Sequence, residues 1–509
     1  MSDATTMGEH NLAVLAEQRH ERIGDYEALF FEGTWLTSTQ IHERASRVAG
    51  GLRAHGVEPG DRVVVMTMNT PEVFVSYQAI WRAGAVVTPV IFLQTVPELR
   101  HILTDSGATA AIISAELVDL FRGAADGLGI TTFVIGGADG VPDAVPFSVL
   151  EESEAVPIEP RADDDLAALL YTGGTTGRAK GVMLSHRGLW ESGRGIDLVA
   201  RSMPATRSLL PLPLSHAYGL IVTIGGLHSD RRHVSVLQRW FDPAGWLELV
   251  AEHKLESSPV VPAMLQLLLS QPLDQHDLSS LQSFGSGGAT LPPAVRKQVE
   301  DTFGVMLLEG YGCTEASAVV SAETQTERRP GSVGKPLPHA EVAILGPDGT
   351  PAGPGEEGEI CVRGAGVMLG YWNEPELTAQ TLRDGWLHTG DVGRIDEDGF
   401  LYVVDRLKDL IIRGGFNVFP RDVEDVLLEH PAVQVAACVG RPDDESGEEV
   451  VAVVQLVPGQ EATGPELVAF AKERLARYKY PREVVVLDAV PLTSVGKINR
   501  KAVRELVRS

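Results

Sequence analysis

The chain has 509 residues, of which 44% are hydrophobic, and a formal net charge of −26 at pH 7. Its length and apolar content supply a folded core and more than one domain, while the acidic balance argues against nonspecific binding to nucleic acid or to an anionic membrane. Cys313, Cys361 and Cys438 lie too far apart for a metal-binding spacing and read as reduced thiols of a cytoplasmic protein. The first ten residues have neither the basic nor the apolar region of a signal peptide.

In chain order, a strand is predicted over 62–68, with Thr70 as N-cap and Pro71 at the first position of a helix. Val73, Tyr77 and Ile80 share one face of that helix, Gly84 ends it, and 86–90 is a second strand. Such a β-α-β unit predicts a parallel sheet with helices on its faces. The apolar run 166–171 reads as a buried strand. It opens onto a loop that holds Thr172, Gly173, Gly174, Thr175, Thr176, Gly177 and Lys180. Glycines let backbone N–H groups approach a ligand, threonine hydroxyls donate to phosphate oxygens, and lysine supplies a compact positive charge. The loop therefore suits a polyphosphate. It is not a Walker A: Arg178 follows Gly177 where that motif has lysine, and 181–184 reads as extended, with a helix start only at Ser185 and His186.

The longest charge-free stretch, between Arg207 and Asp230, is broken by Pro211, Pro213 and several glycines, so no membrane helix is expected. Gly287, Gly288 and Ala289 follow a strand-like run and precede a helix from Pro292. They miss the Rossmann fingerprint because Thr290 takes the last glycine position. Residues 405–417 look like a domain boundary. Beyond them Pro420 opens a helix with Val423, Val426 and Leu427 on one face; 433–439 and 450–457 are strands, and 465–476 is a second helix. Hydrolase and metalloprotease readings lack support, since neither a Gly-x-Ser-x-Gly nor a His-Glu-x-x-His motif occurs.

The glycine- and threonine-rich loop resembles the phosphate loop of the adenylate-forming superfamily: acyl-CoA synthetases, nonribosomal peptide adenylation domains and firefly-type luciferases. That family usually reads Tyr-Thr-Ser-Gly-Thr-Thr-Gly-x-Pro-Lys-Gly. Here Gly173 stands for the serine, as in some long-chain fatty acyl-CoA ligases, and Ala179 for the proline. Four further segments follow in the family's order: Tyr311 to Glu315, Trp386 to Asp391, Asp405 to Lys408, and Lys497.

The resemblance implies an α/β fold: a large N-terminal domain of parallel-rich sheets with helices over 1–405, a hinge at 406–409 centred on Lys408, and a small mobile α+β C-terminal domain over 410–509. It implies ATP and coenzyme A as substrates and Mg²⁺ as cofactor. Glu315 and Thr172 would hold the metal, and the 172–177 loop with Lys180 the phosphates. Gly287, Gly288 and Ala289 would lie at the adenine side, with Tyr311, Gly312 and Thr314 also on the nucleotide. Asp391 and Arg406 would grip the ribose, Lys497 would act at the α-phosphate, and Gly415 would flank the pantetheine arm. His216 would gate the acid pocket, beside Ser215 where relatives often carry an aromatic. The expected activity is AMP-forming acid–CoA ligation of a medium- or long-chain fatty acid, with an aryl acid as the rival. Alternatives are transfer of the adenylate to a carrier protein or a non-thiol nucleophile, activation of nitrite, and a non-catalytic nucleotide sensor. A homodimer is compatible with the sequence.

Overall fold

The computed structural model describes residues 6–137, 143–173, 178–443, 446–493 and 497–508. The predicted β-α-β unit is present: strands Arg62–Met66 and Val86–Pro89 pair in parallel, and helix Pro71–Arg82 connects them. Thr70 holds the N-cap position, but its hydroxyl makes no capping bond. The helix is fixed by packing instead, with Tyr77, Ile80 and Trp81 at most 2% exposed.

That unit seeds an eight-stranded sheet. Its strands run in parallel from Ala144–Pro146 across to Leu166–Gly173, and Ala179–Ser185 then turns back antiparallel. A nine-stranded sheet has a parallel centre made of Val234–Leu237, Arg207–Leu210, Ser257–Val260, Ser283–Ser286 and Met306–Tyr311. Helices His186–Arg201 and Ala217–His228 pack against each other where only glycine fits: a Cβ on Gly193 would lie 2.5 Å from Ile224. Ser185 caps the first of these helices by accepting from Gly188 N–H at 3.0 Å.

A third sheet differs from these two in strand direction. Its five strands, among them Ala340–Leu345, Gly358–Gly364, Trp386–Ile395 and Leu401–Arg406, are all antiparallel. The fourth sheet belongs to the small C-terminal unit. It carries Val433–Asp443, Gly447–Leu456 and Glu483–Leu487, with helices Pro420–Leu428, Gly464–Lys472 and Arg500–Leu506 around it. The second of these helices is shorter than its apolar pattern suggested and starts from a Thr463–Glu466 capping box. Among the described residues no helix is long and apolar enough to cross a membrane.

Candidate active site

The phosphate-loop segment is a β-hairpin. Leu166–Gly173 and Ala179–Ser185 pair so that Thr172 faces Lys180 and Tyr171 faces Gly181. Gly174, Thr175, Thr176 and Gly177 lie outside the described residues. The hairpin is held from below by one helix end: Tyr171 donates to Asp105 Oδ2 at 2.6 Å, and His101 Nε2 lies 2.9 Å from Ala179 O. Trp372 Nε1 donates to the Asp105 carbonyl at 2.9 Å. Lys180 Nζ sits 5.5 Å from the centroid of the Tyr371 ring, a cation–π distance. The Tyr371 hydroxyl donates to Glu315 Oε1 at 2.8 Å. Tyr371 thus links the lysine of the loop to the glutamate of the next motif, and sequence reasoning did not single it out.

Glu315 lies in the turn Thr314–Ala316, just after strand Met306–Tyr311. Gly312 is required by close approach, since a Cβ there would stand 1.9 Å from Ala318 O. Burial pushes the Cys313 thiol well up, and the charges of Glu315 and Asp391 push it further in the same direction. Tyr311 donates to Asp391 Oδ2 at 2.7 Å, and Arg406 Nε lies 3.0 Å from Asp391 Oδ1. The second pair is dictated by register, because Asp391 and Arg406 are direct cross-strand partners. Each carboxylate oxygen has two lone-pair positions, so Asp391 keeps acceptor capacity beyond these two contacts.

Glu359 aims that aspartate and was also missed from sequence. It accepts from Gly390 N–H at 3.1 Å and meets His388 Nδ1 at 2.7 Å. Gly390 has φ +72°, which favours glycine, and Thr389 Oγ1 accepts from Asp391 N–H at 3.1 Å. Cys361 Sγ lies 3.5 Å from His388 Nδ1. Burial pushes that thiol up to about 12, so it stands protonated.

On the other wall, Gly288 has φ +79° in the loop after Ser283–Ser286. A Cβ on Gly287 would lie 3.3 Å from the Tyr218 ring, and Tyr218 donates to Gly285 O at 3.0 Å. His216 is the N-cap of helix Ala217–His228, its Nδ1 accepting from Tyr218 N–H at 3.2 Å. Burial, and then the positive charge of Lys497, depress its pKa to about 4, so the ring is neutral at pH 7.

Lys497 comes from the far end of the chain. Its Cε stands 4.0 Å from the Cβ position of Gly288. Burial and then Arg406 lower its pKa, while Asp391, Cys313 and Glu315 oppose the shift. Its loop is tied locally, with Thr493 N–H donating to Lys497 O at 2.6 Å. Glu315, Asp391, Arg406, His216, Gly288 and Lys497 therefore share one cleft. Gly415 stands apart from them: it is an exposed hairpin-turn glycine at φ +81°, with no atom of the described residues within 4 Å of its Cβ position. Lys408 lies in the turn Leu407–Asp409, its pKa lowered by burial and then by Arg406.

Comparison with known proteins gives a family. The AMP-binding enzyme profile matches residues 16–372, and the AMP-binding enzyme C-terminal domain profile matches 422–497. Feruloyl-CoA synthase of an Amycolatopsis species is 38% identical over 478 residues, covering 93% of this chain and 94% of that protein. A long-chain-fatty-acid–CoA ligase of Bacillus subtilis (strain 168) is 38% identical over 523 residues, covering 95% and 92%. Among solved structures, ATP-bound MatB from Rhodopseudomonas palustris superposes with a TM-score of 0.88 at 31% identity, covering 98% of this chain and 99% of that one. The apo form of MatB superposes at 0.79.

Proposed function

The chain belongs to the AMP-binding enzyme family and is an AMP-forming acid–CoA ligase, and on that premise we propose that it activates a medium- or long-chain aliphatic acid. The acid carboxylate attacks the α-phosphorus of ATP, pyrophosphate leaves, and the coenzyme A thiolate then displaces AMP from the acyl carbonyl. One observation carries the adenylation chemistry: Lys497, from the C-terminal unit, stands among Gly288, His216, Asp391 and Glu315 of the large one. An ammonium held there neutralises charge building on the α-phosphate and the carboxylate, a preorganised contact made where charge develops.

The remaining roles follow from chemistry and position. Thr172 and Lys180, facing each other across the hairpin, hold the β- and γ-phosphates. Asp391 accepts from the ribose hydroxyls, and Arg406, paired to it, fixes its orientation. Neutral His216 bounds the acid side, next to half-buried Ser215, which brings no ring to narrow the passage. Glu315 offers a hard oxygen donor beside the phosphate hairpin, which fits Mg²⁺, and Thr172 adds a hydroxyl. When bound there, the cation neutralises phosphate charge. We assign the large domain to 1–405, the hinge to 406–409 at Lys408 and the mobile domain to 410–509. The unpaired cysteines support a cytoplasmic setting.

The test uses purified protein with ATP, coenzyme A and a panel of aliphatic and aryl acids, following AMP release and thioesters by mass. AMP with an aliphatic thioester is expected. AMP without a thioester points to another acceptor, and an aryl thioester alone overturns the acid assignment. Lys497→Ala is expected to slow ATP–pyrophosphate exchange by about 10²–10³-fold, while thioester formation from supplied acyl-AMP survives. Exchange at the wild-type rate would refute the role of Lys497.

A further inference from the structure

Helix Pro420–Leu428 begins without a cap of its own: Phe419, at the N-cap position, makes no side-chain bond to it. The acceptor comes from the other side of the 406–409 segment. Asp405, only 9% exposed at the end of the third sheet, accepts from Arg421 N–H at 3.0 Å in the helix's first turn. The same carboxylate accepts from Arg406 N–H at 2.8 Å. The Arg421 guanidinium reaches back and donates to Val403 O on the same strand as Asp405, and its Nε lies 3.4 Å from Asp425. Arg500 of the C-terminal helix adds electrostatic attraction to Asp405.

By contrast, the ion pairs of Asp409 among the described residues run to the small unit. Arg504 donates to its Oδ1 at 2.6 Å and Arg500 Nε lies 3.6 Å from its Oδ2. Arg500 in turn pairs with Glu424, its Nη2 donating to Oε2 at 3.0 Å. Asp409, Glu424, Arg500 and Arg504 therefore move as one body, and the pivot lies before Asp409. A turn about Lys408 leaves that cluster intact and must break the contacts of Arg421 with Asp405 and Val403. Another direct bond across the divide, Gln266 Nε2 to Gln434 O at 3.0 Å, sits elsewhere on the interface.

We infer that Asp405 and Arg421 are positioning residues: together they latch the small domain in the orientation that brings Lys497 into the cleft. The inference rests on the proposed two-step reaction and its hinge. Neither residue touches substrate. An anion at a helix N-terminus and a charge-assisted bond to a carbonyl both favour the latched state, and they bias a two-state equilibrium only because they exist in one of its states.

The test compares Arg421→Met, Arg421→Lys and Asp405→Asn with wild type in each half-reaction. Arg421→Met is expected to slow ATP–pyrophosphate exchange about tenfold, with thioester formation from supplied acyl-AMP unchanged or faster. Arg421→Lys restores part of the exchange rate. Limited proteolysis of Arg421→Met is expected to cut faster near Lys408. Equal losses in both half-reactions, or no loss in either, overturn the latch. Should Asp405→Asn fail to fold, Arg421→Met decides alone. If wild type makes no thioester from acyl-AMP, the two-step reading fails; slower exchange with faster hinge cleavage in Arg421→Met still supports the latch, and wild-type values of both refute it.

Discussion

Replacing His186 with asparagine isolates a single buried proton site. The imidazole is 0% exposed at the start of helix His186–Arg201. Its Nδ1 accepts from Leu12 N–H at 3.2 Å, so the neutral Nε2–H tautomer is required. Protonation would place a second donor against that N–H. Burial, and then the nearby Arg161, depress the pKa to about 3. The unfolded chain, with a value of about 6.5, binds the extra proton first, so folding stability is full above pH 6.5 and falls as pH drops toward 3. The loss attributable to this ring is about 2 kcal/mol at pH 5 and about 3 kcal/mol at pH 4. His216, His228 and His233, each depressed to about 4, act in the same direction. Glu309, raised to about 7 by burial, acts in the opposite one. The difference between wild type and His186→Asn removes these shared contributions. Asparagine keeps an acceptor for Leu12 N–H and does not titrate. Urea midpoints by pulse proteolysis at pH 7 and pH 5 are expected to move less in the variant than in wild type. An identical pH shift in both proteins, or a native His186 resonance titrating near 6.5, would refute the reasoning.

Further outcomes follow from the site and its supports. Tyr311→Phe removes the 2.7 Å bond to Asp391 and is expected to raise KM for ATP about tenfold without changing KM for the acid; steady-state kinetics with each substrate varied checks this. Arg296→Met leaves Glu309 and Glu323, 7% and 0% exposed, facing each other without their shared cation. A loss of about 3–5 kcal/mol is expected, and adding Glu323→Gln should recover part of it in urea denaturation. Gly312→Ala forces a methyl group against Ala318 O and is expected to cost about 1–3 kcal/mol by thermal melting.

What could be read from sequence was local. The β-α-β unit, the extended segments on either side of the phosphate loop and the helix opened by Pro420 each announce themselves within a few residues, through periodicity, proline placement and turn chemistry. The residues that match the family motifs stand out in the sequence for the same reason. Their supports do not. Tyr371, Glu359 and Asp105 act on groups far away in the chain, through cross-strand register and loop packing that a one-dimensional pattern does not encode. The strands of the antiparallel third sheet give no such local signal, since half-buried positions fall on both of their faces. Gly415, expected beside the pantetheine arm, stands at an exposed turn with φ +81°.

The direct pairing of Asp391 with Arg406 has a thermodynamic consequence. Arg406 stands at the boundary of the proposed hinge, so the proposed grip on the ribose and the proposed rotation of the small domain draw on the same residue. Whatever factor nucleotide binding contributes to the orientation of the domain, a change in that orientation must return to nucleotide affinity, because coupling between two equilibria is reciprocal. Substitutions at Lys408 or Arg421 should therefore register in the dissociation constant of ATP.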